Sequence, residues 1–568
     1  MEGKSETENK QELKVEDKSE QKVEPKKGIL QRAVQWTNEQ LFRTIFAGIK
    51  LILPERNLNP FSFFGMITFL CGVILTITGI YLMIYYVPSF EGAWNSVAKI
   101  TDEVPYGFYM RGLHYWASNG MAFFAILHCF YLYFKGRYKL RNKLMWVTGV
   151  VMGVVVILEA FTGYNLIMNE RAMFASRIAQ SLAQGINPLL QNLMMGGGSL
   201  SEYILRFYTL HIFVLPLVVA ILIMVHFPRS LILDVAAKAL VIGGIMMIVG
   251  IFPAELGRKY YPTVTAGVTI PEWYLTGIYT FLRSTPWETP WFSLRGIDQM
   301  IAGLWLPLIF IALIALMPFI DRSKGFSYRE RPVITSLGVL FICQAVLVTI
   351  WGNRAYNIID PVVSESQISI RAGVFWPIFL LSGIIPFSVT YLWLKRGQAV
   401  KVPKPSGTRF YLSEQEATIL IVAAVVVEAV LNYYAFLAYF SNMKEVAAVA
   451  WGAVFILFGL CIYAYRLSKV APVDAPRSRA ISLSFNKAAW AALFLQFFVA
   501  ATVWFLNPIS FVNQKTIAFI SAIDLTVFAI VVYSYRQAKG MTVSEDREWL
   551  AVGMGMIALF LLFAIFGA

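Results

Sequence analysis

From about residue 62 to its last residue the chain is a succession of apolar runs, each roughly 20 residues long and able to cross a hydrocarbon core of about 30 Å. Backbone polar groups inside lipid must pair internally, which helices do within one segment. The runs fall near 62–87, 107–134, 143–168, 203–226, 236–253, 301–320, 334–352, 374–395, 415–440, 446–466, 487–507, 515–535 and 548–567, about thirteen in all. The expected fold is therefore an all-α integral membrane protein. With 58% of 568 residues hydrophobic and 14% charged, the chain is too apolar for the soluble class.

The formal net charge of +14 does not read as a nucleic-acid-binding face, because Lys and Arg gather mostly in the loops between runs. Lys135, Arg137, Lys139, Arg141 and Lys143 follow the second run without an acid between them, which places that loop in the cytoplasm. Alternation then puts Arg322, Lys324, Arg329 and Arg331 on the same side, followed by Lys395, Arg396, Lys401 and Lys404, then Arg466, Lys469, Arg477 and Arg479. The amino terminus is expected to be cytoplasmic as well. The outer segments 168–203 and 253–300 are longer and less basic, and are the expected functional surfaces. Residues 1–27 are charged, poor in large apolar side chains and without a signal-peptide core, so a disordered tail is expected and the first span acts as its own insertion signal. Residues 28–55 are mildly amphipathic and suit a helix on the membrane surface. Cys71, Cys129, Cys343 and Cys461 sit inside apolar runs with no CxxC spacing, as packed thiols do.

All four histidines fall in two runs: His114 and His128 in the second, His211 and His226 in the fourth. Both runs cross from outside to inside, so His114 shares an outer level with His211, and His128 shares an inner level with His226. Along a helix 14 residues turn by roughly −40° net and 15 by roughly +60°, which keeps each pair on one broad stripe. At 1.5 Å per residue the levels stand about 21 Å apart. Two facing imidazoles at each level suit two haem groups, since bis-His ligation closes both axial positions of iron and favours electron transfer. A single intramembrane His serves equally well as an interhelical hydrogen bond; four at matched depths favour the cofactor. Gly65 and Gly79 in the first run, and Gly149 and Gly163 in the third, repeat the 14-residue interval. Missing side chains there would clear space for flat macrocycles, although small residues also serve plain helix packing.

The segments RGLHYW (111–116), WVTGV (146–150), TGY (162–164), RFYTLHIFVLPL (206–217) and HFP (226–228) resemble the cytochrome b family, and the long match around His211 resembles its short, chloroplast-type form. PEWY, at Pro271, Glu272, Trp273 and Tyr274, resembles that family's outer quinol-oxidation motif. The resemblance covers about residues 50–395. It divides the chain into an N-terminal di-haem four-helix bundle (56–235), a C-terminal region with the PEWY loop (236–400) and a five-helix extension (401–568) outside the family pattern.

The resemblance implies that His114 and His211 ligate an outer, lower-potential haem and His128 and His226 an inner one. The haems would be b-type, with an a-type variant left open because axial ligation does not define ring substituents. Arg111 and Arg206 would lie near the outer haem's propionates, where guanidinium pairs with carboxylate; interfacial anchoring is their other reading. Quinol would give one electron to a Rieske iron–sulfur protein and one, through both haems, to quinone near the inner face, contributing to proton translocation. Glu272 is the candidate proton acceptor, a carboxylate at a partly dry site, and Tyr274 would bond the quinone or fix Glu272. PEWY alone would also read as a turn with interfacial aromatics. Asp234 occupies roughly the family's acidic position at the inner quinone site, or caps the fifth helix.

The chain departs from the family after Tyr164, where NLIMNERAMF (165–174) replaces a Leu-Pro-Trp run. Glu159, Glu428 and Asp524 are ionisable groups inside runs. Other partners consistent with this reading are a cytochrome c, a blue copper protein, terminal oxidase subunits and a second copy within a dimeric complex, in a prokaryotic plasma membrane. The rival reading is a haem-bearing anchor subunit of a quinone-linked dehydrogenase or reductase.

Overall fold

The computed structural model describes residues 50–52, 64–139, 143–195, 198–226, 230–232, 234–263, 270–283, 288–289, 292–293, 300–358, 372–396 and 414–469. The tail 1–27, Asp524 and the last three expected spans lie outside them. Of the surface helix expected at 28–55, the described residues are only β1 (Lys50–Ile52), a short strand paired in parallel with β2 (Ser230–Ile232). Residues 50–52 are therefore extended where a helix was expected, because the backbone there bonds sideways to a second segment.

In chain order the helices are α1 (Phe64–Tyr85), α2 (Phe90–Asp102), α3 (Gly107–Phe134), α4 (Lys143–Asn165), α5 (Glu170–Ile186), α6 (Pro188–Met195) and α7 (Leu200–Thr209). A π-turn at Leu210–Val214 continues α7 into α8 (Leu215–His226), followed by α9 (Val235–Ile251) and α10 (Trp273–Arg283). A second π-turn at Ile301–Trp305 leads into α11 (Leu306–Ala315), then α12 (Met317–Ile320), α13 (Pro332–Ile358), α14 (Ala372–Arg396), α15 (Glu414–Phe440) and α16 (Lys444–Lys469). Among the described residues eight segments are long and apolar enough to cross a membrane, and Val235–Ile251 and Gly303–Ala315 are shorter apolar helices. These match the first ten expected spans. Large apolar side chains face outward along them, Ile77 at 61% and Ile84 at 69% exposed, as a lipid-facing surface requires. The chain is a multi-pass membrane protein.

Short helices, α2 after the first span and α5 after the third, have capped starts. Ser89 caps α2 by accepting from the Gly92 amide, and Asn169 caps α5 by accepting from Ala172 N at 2.8 Å. Span α9 packs against α3, where Gly112 meets Val249, and Trp116 Nε1 donates to the Phe252 carbonyl at 2.7 Å. On another side α9 carries α16: an added Cβ on Gly243 would stand 2.5 Å from the Gly452 carbonyl oxygen, and one on Gly452 2.7 Å from the Gly243 oxygen. The two backbones touch there, the close approach that small residues permit between membrane helices. The first hairpin of the extension is thus built onto the core.

At the expected cytoplasmic side, Asp321 gathers the two halves. Its Oδ2 accepts from Tyr138 at 2.6 Å, and Lys139 Nζ and Arg331 Nη1 lie 2.9 and 3.4 Å away. The Asp321 side chain is 1% exposed and that of Arg331 0%. Arg331 also donates to the carbonyls of Phe134 and Tyr133 at 2.7 and 3.2 Å. Burial alone would raise the Asp321 pKa, but hydrogen bonds from Ser323, Tyr138 and Lys139 outweigh it and hold the carboxyl at about 2, below the ordinary 3.8.

Candidate functional site

The four histidines meet as two pairs. His114 and His211 have ring centroids 6.2 Å apart at an interplanar angle of 73°, and His128 and His226 have theirs 6.4 Å apart at 83°. Two imidazoles bonded to opposite sides of one metal ion through bonds of about 2 Å place their ring centres roughly 6 Å apart, so each pair is spaced to take one ion between its rings. Among the described residues no group of three or more His, Cys, Asp or Glu could hold a metal. Two protein ligands per level suit a metal that brings its own equatorial ligands, as haem iron does.

The histidines of α3 are 14 residues apart and those of the fourth span 15, and the π-turn reconciles them. In it Leu215 N donates to the Leu210 carbonyl, a five-residue step that takes up one extra residue. Pro216 follows and has no N–H to give to Ile212, which favours the wider turn at that place. The second π-turn ends the same way, with Leu306 N on the Ile301 carbonyl and Pro307 next.

The four glycines lie against the rings themselves. A Cβ added to Gly65, Gly79, Gly149 or Gly163 would meet Cε1 of His128, His114, His226 and His211 at 2.9, 3.3, 2.6 and 2.5 Å respectively. The missing side chains make room for imidazoles, where clefts for a macrocycle were expected. Gly79, Gly149 and Gly163 each also open the helix carbonyl four residues before them. His211 Nδ1 reaches the Glu159 carbonyl at 3.1 Å, His226 Nδ1 the Met145 carbonyl at 2.8 Å, and His114 bonds the Leu75 backbone, with Thr78 Oγ1 3.0 Å from its Nδ1. For Gly65 the corresponding residue is Phe61, outside the described residues, and His128 Nδ1 has no partner among those described. A neutral imidazole donating from Nδ1 keeps its lone pair on Nε2, the atom free to bind iron. The residues present fit haem.

Arg111 is buried, and its Nη1 and Nη2 each donate at 2.7 Å to the carbonyls of Ala254 and Glu255. It fastens the segment after α9 to the start of α3. Arg206 donates through Nη1 to the Leu193 carbonyl at 2.7 Å. Both guanidinium groups thus bond backbone carbonyls.

PEWY opens α10. Glu272 is buried, and its Oε1 lies 3.2 Å from Nη1 of Arg171 on α5. Arg171 also donates through Nε to the Ile270 carbonyl at 2.5 Å and through Nη2 to the Pro271 carbonyl at 3.3 Å. Burial works against the charge on Arg171, but Glu272 together with Tyr115, Tyr164 and Tyr274 outweighs it and raises the pKa. Trp273 Nε1 donates to Asn119 Oδ1 at 2.7 Å, tying the motif to α3. Burial, helped by the Glu272 charge, lifts the Tyr274 phenol well above its ordinary pKa and keeps it a neutral donor. Tyr115 and Tyr164 complete this cluster. Arg171 was not singled out in the sequence, although it lies within NLIMNERAMF, the stretch that departs from the family pattern.

Asp234 caps α9, accepting from Ala237 N at 3.3 Å, and pairs with Arg466 of α16 at 2.7 Å. Glu428 accepts from Cys461 Sγ at 3.8 Å, a contact inside the α15–α16 hairpin.

A membrane-spanning helical bundle with two stacked imidazole pairs defines a haem-carrying electron-transfer protein, and comparison with known proteins agrees. The family model described as Cytochrome b/b6/petB matches residues 49–232, and Cytochrome b(C-terminal)/b6/petD matches residues 261–370. Cytochrome b6 of Heliomicrobium gestii is 36% identical over 179 residues, 31% of this chain and 84% of that protein. Cytochrome b of Cereibacter sphaeroides is 27% identical over 409 residues, 63% of this chain and 89% of that protein. The cytochrome bc complex cytochrome b subunit of Chlorobaculum thiosulfatiphilum is 28% identical over 341 residues, 54% of this chain and 77% of that protein. The chain belongs to the cytochrome b family. Membership implies haem binding and electron transfer.

Proposed function

We propose that this chain is the di-haem cytochrome b of a quinol-oxidising, proton-translocating respiratory complex, with haem held by His114 and His211 at an outer level and by His128 and His226 at an inner level. The pairing of all four histidines at metal-spanning separations carries the reading. Bound there, haem iron supplies one-electron transfer across the membrane, so that the two electrons of a quinol divide between this path and a Rieske iron–sulfur protein. The protein's residues supply position and proton handling. Backbone carbonyls of α4 orient His211 and His226 so that Nε2 points away from the helix they lean on. Glu272, steered by Arg171, accepts a proton from quinol bound beside it, and Tyr274 donates a hydrogen bond to the ring oxygen. Pro271 and Trp273 set the start of α10, which carries Tyr274 and follows Glu272 directly. Asp234 serves quinone reduction near the inner face. The protein lies in a prokaryotic plasma membrane with a cytoplasmic amino terminus, in a dimeric complex.

The purified protein tests this. Dithionite reduction is expected to reveal two haems per chain, and His211→Leu to remove one of them while leaving the other. A parent protein without a reduced haem band refutes the proposal; a His211→Leu spectrum identical to the parent's refutes the ligand assignment.

A further inference from the structure

The outer and inner imidazole sites are built on α4 from the same short pattern, repeated 14 residues apart. At the inner site Gly149 lies against His226, Thr148 Oγ1 donates to the Met145 carbonyl at 3.2 Å, and that carbonyl takes His226 Nδ1. At the outer site Gly163 lies against His211, Thr162 Oγ1 donates to the Glu159 carbonyl at 2.9 Å, and that carbonyl takes His211 Nδ1. Glycine matches glycine and carbonyl matches carbonyl, while the threonines differ in their second contact: Thr148 Oγ1 also donates to the Leu144 carbonyl at 2.9 Å, and Thr162 Oγ1 lies 3.3 Å from His211 Nδ1. The side chain on the carbonyl residue does not match, being Met145 inside and Glu159 outside.

Glu159 uses the difference. Its Oε1 lies 3.2 Å from His211 Nδ1, beside the backbone oxygen that pairs with this nitrogen at 3.1 Å, and Thr162 Oγ1 lies 3.3 Å from the same atom. Oε2 is buried with no hydrogen-bond partner among the described residues. A carboxyl group inside a membrane span is costly, and this one is directed at a ring nitrogen. A carboxyl oxygen facing Nδ1 at this distance polarises the N–H and increases the electron donation of Nε2, which would stabilise the oxidised state of a metal bound there and lower its reduction potential. A methionine thioether is a weak acceptor and has no comparable effect.

We propose that Glu159 acts through His211 to set the reduction potential of the outer haem below that of the inner one, with Met145 as the neutral counterpart. The inference rests on the di-haem reading. Its test is a spectroelectrochemical titration of the parent protein and of Glu159→Gln, Glu159→Met and Met145→Glu, with His211→Leu identifying the outer wave. The outer potential is expected to rise in Glu159→Met and less in Glu159→Gln, the inner potential holding in both. In Met145→Glu the inner potential is expected to fall. An outer potential unmoved in both Glu159 variants overturns the inference while the di-haem reading stands. Loss of the outer haem in both also overturns it, by making Glu159 a structural support. A parent protein with no haem waves would instead refute the proposed function.

Discussion

A methyl group on Gly163 would stand 2.5 Å from Cε1 of His211, nearer than two carbons can sit, and the ring is pinned behind by the Glu159 carbonyl. Gly163→Ala must therefore displace the imidazole, at a cost of about 2 kcal/mol, and tilt Nε2 away from its partner ring. Haem content is expected to fall from two to one per chain by pyridine-haemochrome assay. Gly72→Ala in α1, whose added Cβ would meet Met121 Cε at an ordinary 3.8 Å, is expected to keep both. Equal haem loss in the two variants would remove the steric argument. Depth matching of His114 with His211 is readable in sequence because the helical rise is constant. The glycine-to-ring contact and the carbonyl behind it are not, since they depend on how closely two spans approach. Arg171 was hidden for a related reason: its partners at 270–272 come from a segment about 100 residues away, brought beside α5 only by the fold.

At the level of the element, span positions follow from hydropathy, which is why eight described spans and two shorter apolar helices fall within about five residues of expectation. Helix α2 and the pair α5 and α6 escaped because amphipathic surface helices interrupt no apolar run, although Ser89 and Asn169 mark two of their starts. The π-turn is the subtler element, signalled by Leu-Pro at 215–216 and by the odd 15-residue interval. If it serves to absorb one residue, removing Val214 together with Pro216→Ala should yield a continuous α-helix with the 14-residue spacing of α3. Both haem signals are then expected to survive in the dithionite-reduced spectrum. One alanine inserted between Val219 and Ala220 should turn His226 by about 100° and abolish the inner signal. Loss of the inner haem in the deletion, or its retention in the insertion, would contradict this account of register.

Across the whole molecule, two contacts join regions that the sequence presents as separate. Glycine-mediated approach of α9 and α16, reinforced by the 2.7 Å Asp234–Arg466 pair, makes the first hairpin of the extension part of the cytochrome b body. The Asp321 cluster joins the loop after α3, inside the first family match, to the 321–331 loop inside the second. The latter can be tested by pH, because the folded carboxyl titrates at about 2 against an ordinary 3.8. A depressed pKa means that folding favours the charged form. Its stabilisation is complete above the unfolded value, declines as pH falls through the interval, and is lost below the folded value. The shift corresponds to about 2 kcal/mol. Asp321→Asn cannot gain this charge, so in detergent it should melt at lower temperature than the parent near pH 6. The gap should close between pH 4 and pH 2, as the parent carboxyl protonates and Arg331 loses its counter-charge. A gap that stays constant across that interval would mean that neutral hydrogen bonds alone join the two halves here, and that the charge on Asp321 contributes nothing to holding them together.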